Sequence, residues 1–489
     1  MCAISGIFHY GSKAPVSRQA LERMSAVQRH RGPDGAGIHV DERVGFANRR
    51  LAIIDRAHGR QPMANGDGSL WITYNGEVFN YRELRHTLER RGHRFLTASD
   101  TEVVLQTYAA YGPECVTHLN GQFAFAIWDA RQQQLFLARD RLGIAPLHFS
   151  MRDGCFLFAS EAKGILAHPA VRPTADEESL VEALLCTTLL GGRTVFRGIE
   201  SLPPGHSLTV TAAGLRRQRY WDWPQASTHE QTERWYAERF WELLTDSIRL
   251  RLMGEVPLGV LLSGGTDSST IAKLASGLLS QPLRTFTIDY TDAWKGDDRD
   301  SHYAALMAKE LGSEHHAFTV DPEAYFASLE RLVWHVERPF NKGAATMYLL
   351  YEQLHEHATV VLCGEGADEL LAGYVGSRGL GLDEVLRDGA VRFFPWAPFW
   401  RVALHLLSPD VLAKWQPEKR YAAALDTALA EFPAGDPLNQ ALLLYLRYFL
   451  LELLELHDKT GLASRRALLG KVRRRVLREG ERHPGGQKP

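Results

Sequence analysis

A chain of 489 residues, 45% hydrophobic and 23% charged, has the composition of a soluble globular protein large enough for two or more cores. A lone small module, a fibrous protein and wholesale disorder are excluded. With 56 Lys+Arg against 58 Asp+Glu the net charge is −2, so no whole-molecule field favours a nucleic acid or a membrane as partner.

The opening, MCAISGIFHYGSK, lacks the basic flank and long apolar run of a signal peptide. Cys2 directly follows Met1, whose removal would leave a thiol and a free α-amine on one residue. An α-amine with a pKa of ~7.7–8.0 can serve the thiol as base without a histidine. For that position alone, a buried cysteine in the strand CAISGIF is the plainer alternative. The cysteines Cys2, Cys115, Cys155, Cys186 and Cys363 are odd in number and lack CxxC spacing, which predicts reduced thiols and a cytoplasmic setting.

Residues 1 to 160 alternate short strand-like runs (CAISGIF, VGFANRRLAIID, LWITYNGEVFN, FAFAIWD, QLFLARD, FLFAS) with helical ones such as 81–91. That mix predicts antiparallel sheets with helices on their faces. Four segments stand out: RHRGPDG, NRRLAIID, YNGEVFNYREL and SDTEVVL. Two have local readings of their own, Asn-Gly as a hairpin turn and Asp100 as the N-cap of TEVVLQTYAAY. Turn-rich sequence then predicts a linker at 211–233, between a first domain at 1–210 and a second at 234–489.

From Trp235 onward, helical periodicities alternate with the apolar runs VPLGVLLS, LRTFTIDY, EHHAFTV and TVVLCGEG. This is the βαβ pattern of a parallel doubly wound sheet, whose ligands bind beyond the carboxyl ends of the strands. After the first run, SGGTDSS opens a helix; its glycines let backbone N–H groups close on phosphate, and the GK[ST] of a Walker loop is absent. CGEGADE follows the last run and gathers carboxylates able to bind Mg2+ or act as a base. His315-His316 and His355-Glu356-His357 lack the spacing of a metal-binding helix. ALLLYLRYFLLELLEL, at 441–456, is too short and too charged to span a membrane and predicts a buried helix. The tail at 464–489 carries nine Lys/Arg and two Glu, the pattern of a solvated face rather than of a nucleic-acid arm.

Taken with ARDRLGIAPLHF, FASEAKGIL and VFRGIESLPPGH, the four N-terminal segments resemble the glutaminase domain of the asparagine synthetase family, class II amidotransferases with an N-terminal cysteine nucleophile. SGGTDSS resembles the PP-loop of ATP pyrophosphatases, and CGEGADE resembles that family's SGEGADE. The resemblance implies an α+β N-terminal-nucleophile sandwich followed by an α/β doubly wound PP-loop ATP pyrophosphatase domain. It implies Cys2 as nucleophile, Asn75 and Gly76 as oxyanion donors, and Arg50 on the α-carboxylate of glutamine. Glu77 and Asp100 would read its ammonium, with the main chain of Leu51, Ala52, Ile53 and Ile54 completing the cradle. ATP would lie on Leu262, Ser263, Gly264, Gly265, Asp267, Ser268, Ile288, Cys363 and Gly364. Asp267 and Asp368 would hold Mg2+, and Glu365 would act in forming and using an acyl-adenylate.

The implied reaction is glutamine hydrolysis, internal ammonia transfer, and ATP-dependent adenylation and amidation of aspartate. Two departures keep alternatives open. After DKTGLA at 458–463 neither PFLD nor the family's triphosphate-binding lysine can be placed, so the second domain is expected to be shortened. HVERPFNKGAAT, at 335–346, departs where the acceptor is expected to be chosen. A tailoring amidotransferase acting on another carboxylate therefore stays open, as does a glutaminase whose second domain only binds. The partners are glutamine, aspartate or another carboxylate, and ATP; oligomeric state is not legible, with a homodimer the form kept open.

Overall fold

A computed structural model describes residues 2–11, 14–186, 189–223, 231–291, 299–340, 343–373, 405–416 and 437–463, with scattered positions between 419 and 430 and the pair 467–468. Two antiparallel sheets make up the N-terminal part. The first has the order β10-β8-β9-β1-β3-β2, from Ala3–His9 (β1), Gly35–Val40 (β2), Val44–Arg50 (β3), His148–Arg152 (β8), Cys155–Ala159 (β9) and Glu200–Ser201 (β10). The second has the order β12-β11-β7-β6-β5-β4, from Met63–Ala64 (β4), Leu70–Val78 (β5), Gly121–Asp129 (β6), Gln134–Arg139 (β7), His206–Thr211 (β11) and Gly214–Arg219 (β12).

The sheets pack face to face because alternate residues of each are apolar. Ile4, Phe8, Phe46 and Phe158 of the first meet Ala124, Ala126, Trp128 and Leu137 of the second in one buried cluster. Each outer face is closed by helices. Ala20, Leu21 and Met24 of the helix Arg18–Ala26 cover Ile7, Ala47 and Leu157. Val103, Val104 and Tyr108 of the helix Asp100–Tyr111 cover Tyr74, Phe123 and Phe125. The result is a helix-sheet-sheet-helix sandwich, as the sequence predicts. The expected start of the linker at residue 211 is displaced. Residues 214–219 form β12, paired from His206↔Arg219 to Thr211↔Gly214, because the long arginine stems of LRRQR serve a half-exposed edge strand.

The second part holds a five-stranded parallel sheet, order β15-β14-β13-β16-β17, from Leu258–Leu261 (β13), Arg284–Tyr290 (β14), Glu314–Val320 (β15), Val360–Leu362 (β16) and Ala467–Leu468 (β17). One face carries Val260 and Leu262 against Ile271, Ala272 and Ala275 of the helix Thr266–Leu278. The other carries Leu261, Phe286 and Val361 against Leu350, Tyr351 and Leu354 of the helix Gly343–Leu354. With helices on both faces the sheet is doubly wound. The chain runs β13 to β14 to β15 on one side of β13 and returns to β16 on the other. The switch point therefore lies between β13 and β16, whose carboxyl ends carry SGGTDSS and CGEGADE.

The apolar run at 441–456 is a buried helix, as expected, made of Pro437–Leu444, a wider π turn at Tyr445–Phe449, and Leu450–Ala463. Leu446, Leu450 and Leu454 pack on Leu142 and Ile144 of the first domain. No helix among the described residues is long and apolar enough to cross a membrane.

Candidate functional site

Cys2 lies at the lead-in to β1, buried between β3 and β5. Its backbone N–H donates to Oδ1 of Asn75 at 2.7 Å, and its Sγ lies 3.9 Å from the carbonyl oxygen of Leu51. Burial pushes the thiol above its ordinary value. Asn75 sits inside β5 opposite Ala124, fully buried. Because its Oδ1 is held by the backbone N–H of Cys2, its Nδ2 is turned away, and that donor has no partner among the described residues. An orphaned buried donor is costly unless a ligand takes it up. The sequence suggested Nδ2 as an oxyanion donor; the structure adds a second task for the same amide, holding the nucleophile's own nitrogen.

Gly76 is glycine for a different reason than crowding of the site. A Cβ there would stand 2.2 Å from the carbonyl oxygen of Gln122 and 2.7 Å from Cα of Phe123 across the strand pair. Asp100 is the first residue of its helix and not the cap, since the hydroxyl of Ser99 accepts from the Thr101 N–H at 3.0 Å. That frees the Asp100 carboxylate, whose Oδ2 accepts from Tyr74 Oη at 2.8 Å and from the Val78 N–H at 3.1 Å. Glu77 is buried nearby with Oε2 unpartnered among the described residues. Burial, then the charge of Asp100, raises its carboxyl well above the ordinary range. Two buried acids that disfavour each other's ionisation are what an arriving ammonium would relieve.

Arg50, at the end of β3, grips the turn that follows it. Its Nη2 donates to the carbonyls of Ile54 (3.1 Å) and Asp55 (2.7 Å), and its Nη1 to that of Arg56 (3.0 Å). The Nε–H and second Nη1–H lie on opposite sides of the guanidinium, so a two-oxygen fork on a carboxylate needs Nη2 to release one of the turn carbonyls. Among residues 51–54, the Leu51 carbonyl faces the thiol, while the Ile54 carbonyl is taken by Arg50 and the Ile53 carbonyl by the Glu255 N–H at 3.2 Å. The N–H of Ala52 donates to Asp34 Oδ2 at 2.9 Å. The expected cradle is thus half committed to holding its own loop. The acid pair sets a pH dependence. If the pair holds the ammonium of glutamine, as the resemblance implies, only ionised carboxylates attract it, and the KM for glutamine is expected to rise as pH falls through the raised Glu77 value. Glu77→Gln is expected to give a higher KM that no longer varies over that range, measured by glutaminase assays across pH.

The second constellation surrounds a cavity of about 410 Å³ at the carboxyl ends of β13, β14 and β16. Leu262, Ser263, Gly265, Asp267, Ser268, Ile288, Cys363, Gly364, Glu365 and Asp368 all line it. Gly264 does not line it. With φ +80 it turns the loop away, and a Cβ there would stand 2.6 Å from the Ala304 nitrogen. Ser263 Oγ and Ser268 Oγ lie 3.0 Å apart and close the loop over the start of the helix Thr266–Leu278, whose terminal N–H groups favour an anion. His457, in the helix Leu450–Ala463, also lines the cavity and was missed from sequence, because a histidine 92 positions after Glu365 carries no local signal. Of the segment 335–346, none of the described residues lines the cavity.

A family model described as a glutamine amidotransferase domain matches residues 1–221, and one described as asparagine synthase matches 239–465. Asparagine synthetase [glutamine-hydrolyzing] 3 of Bacillus subtilis (strain 168) is 32% identical over 488 residues, covering 95% of this chain and 78% of that one. The chain belongs to the glutamine-hydrolysing asparagine synthetase family. A second synthetase of the same organism, number 1, is 34% identical over 76% of this chain and 59% of its own length. The protein named amidase chyE of Penicillium rubens is 32% identical, over 76% of this chain and 59% of its own length. The chain thus spans little more than half the length of some relatives it matches.

In this member of the asparagine synthetase family a buried ionic chain ties the main chain of the first candidate site to the second domain. Arg31 donates from Nε to the carbonyl of Cys2 (3.2 Å) and from Nη1 to Glu161 (3.1 Å), and pairs with Asp458 at 2.7 Å. Glu161 pairs with Lys163 at 2.7 Å. Glu337 accepts from the backbone N–H groups of Ala162 and Lys163 and from Lys459 Nζ. Burial opposes its ionisation, yet Lys163 and Lys459 hold its carboxyl down to about 2. Arg139 meets Glu455 at 2.7 Å. Glu337, in the divergent segment, therefore serves the joint between domains.

Proposed function

We propose that the chain is a glutamine-dependent amidotransferase of the asparagine synthetase type, with aspartate as acceptor. Cys2 attacks the glutamine amide, its own amine taking the thiol proton once Met1 is removed, and a thioester forms as ammonia leaves. Asn75 Nδ2 and the Gly76 N–H would stabilise the oxyanion, Arg50 the α-carboxylate, and Glu77 with Asp100 the ammonium. Ammonia then passes to the cavity at the switch point. There the loop at 263–268 would cradle ATP, the acceptor carboxylate would attack the α-phosphate, and ammonia would displace AMP, with Glu365 as the base.

One observation carries the synthetase half: the glycine loop and the acids Asp267, Glu365 and Asp368 converge on one cavity, from adjacent strands at the switch point. Two carboxylates suit Mg2+, which keeps waters and phosphate oxygens as its remaining ligands. Held by Asp267 and Asp368, the ion would neutralise charge developing on pyrophosphate. Asp267→Asn is expected to lower pyrophosphate release by about 10²-fold or more and to leave glutamine hydrolysis within about twofold. The assay mixes protein, MgATP, glutamine and aspartate and follows AMP, pyrophosphate and asparagine. Loss of both activities in folded protein would sink the two-site reading.

A second acceptor deserves the same assay. The amidase of Penicillium rubens matches nearly as well as the synthetases, and residues 335–340 are not among those lining the cavity. If AMP forms with another carboxylate and not with aspartate, the ligase reading stands and the acceptor changes.

A further inference from the structure

His457 touches the cavity with one face of its ring and the core with the other. Its Nε2 lies 3.4 Å from Glu365 Oε1, and its Nδ1 lies 2.9 Å from Tyr351 Oη. His457 and Tyr351 are buried, at 5% and 1% exposure, while Glu365 opens into the cavity. Tyr351 belongs to Gly343–Leu354, the helix that covers one face of the sheet; His457 belongs to the interdomain helix Leu450–Ala463. Burial keeps the Tyr351 phenol far above its ordinary value, so it stays protonated. A phenol that donates to Nδ1 leaves the ring's proton on Nε2, the nitrogen nearest Glu365.

We propose that His457 is a positioning residue for Glu365: Tyr351 fixes its tautomer, and its Nε2–H holds one carboxylate oxygen so that the other faces the cavity. The proposal rests on Glu365 acting at the acceptor, as in the function proposed above. A glutamate carboxylate turns about three side-chain torsions, and misplacing a reacting group by about 1 Å can cost about 10²-fold in rate. His457 would itself touch neither phosphate nor acceptor. Its neighbour Asp458 pairs with Arg31, which bonds the Cys2 carbonyl, so one helix anchors the base of one site and the main chain of the other.

The test compares His457→Phe, His457→Gln and Glu365→Gln in the full chain. His457→Phe keeps the ring volume without a donor; kcat for pyrophosphate release is expected to fall about 10- to 10²-fold with the KM for ATP within about twofold. His457→Gln returns an N–H close to the Nε2 position and is expected to recover most of that loss. Glutamine hydrolysis is expected to stay unchanged in both His457 variants. A His457→Phe enzyme within about threefold of the parent while Glu365→Gln is dead would overturn the role of His457 alone. An active Glu365→Gln enzyme would overturn the reading of Glu365. His457→Gln no faster than His457→Phe would mean packing, not a donor. Independently of activity, ¹⁵N spectra of the imidazole are expected to show the Nε2–H form in the parent and a mixture in Tyr351→Phe. The Nδ1–H form in the parent would overturn the proposal.

Discussion

Cys2→Ser is expected to lower glutamine hydrolysis by about 10³-fold or more, while pyrophosphate release driven by added ammonia stays close to that of the parent. A serine hydroxyl is a far weaker nucleophile at neutral pH, and the α-amine offered as base is too weak to compensate. The environment is severe even for the thiol, whose ionisation is disfavoured by burial. In the proposed mechanism the base is the amine of the same residue, whose nitrogen lies 2.7 Å from Oδ1 of Asn75. The same logic makes Met1 removal a requirement. Intact-mass analysis of active protein is expected to show a chain beginning at Cys2; full glutaminase activity with Met1 retained would refute the amine as base.

Arg31→Leu is expected to cost about 3–5 kcal/mol of stability, the usual penalty for leaving a buried charge without its partner. Arg31 is 0% exposed and Asp458 1%, so water cannot take over the lost pairing. Glu161 retains Lys163 and His30, whereas Asp458 loses the guanidinium with which it is paired. The damage should therefore be relieved by a second change at Asp458 more than at Glu161. Arg31→Leu with Asp458→Leu is expected to melt several degrees above Arg31→Leu alone, by calorimetry or fluorescence at equal concentration. Strict additivity of the two substitutions would show that the pair contributes nothing. Because Arg31 Nε also holds the Cys2 carbonyl, glutaminase activity is expected to fall in both variants, which separates loss of positioning from loss of fold.

The fold was largely legible in sequence because its signals are local. Alternating runs such as FAFAIWD and LRTFTIDY became β6 and β14, and the two glycine-acid loops declared the ends of β13 and β16. The residues named for the two sites were also brought together, Gly264 excepted. What escaped was anything set by distance along the chain. Residues 214–219 read as linker because an edge strand of arginines looks solvated. The steric need for glycine at 76 escaped because the Gln122 carbonyl pressing on it comes from a different strand. His457 gave no signal, and Arg31 was noted only as part of RHRGPDG, because each gains its structural meaning from a partner more than 90 residues away. The run at 335–346 read as choosing the acceptor, whereas Glu337 within it is bonded to Ala162, Lys163 and Lys459.

Leu51, Ile53 and Phe79 of the first domain share one apolar cluster with Leu244, Val260 and Leu262 of the second. The loop that flanks the thiol thus uses the neighbouring domain as part of its own core. Recombination between homologues at the stretch before residue 231 would look like a clean cut between modules, yet it would exchange only one side of that cluster and of the buried ionic chain. A chimaera built there should inherit both active centres and lose the surface on which each is assembled. Such hybrids would need transplants in pairs, residues 51–54 travelling with the packing face of β13, and Arg31 with Asp458. Evolution of a new acceptor in this architecture is then easier by substitution inside the cavity than by swapping halves.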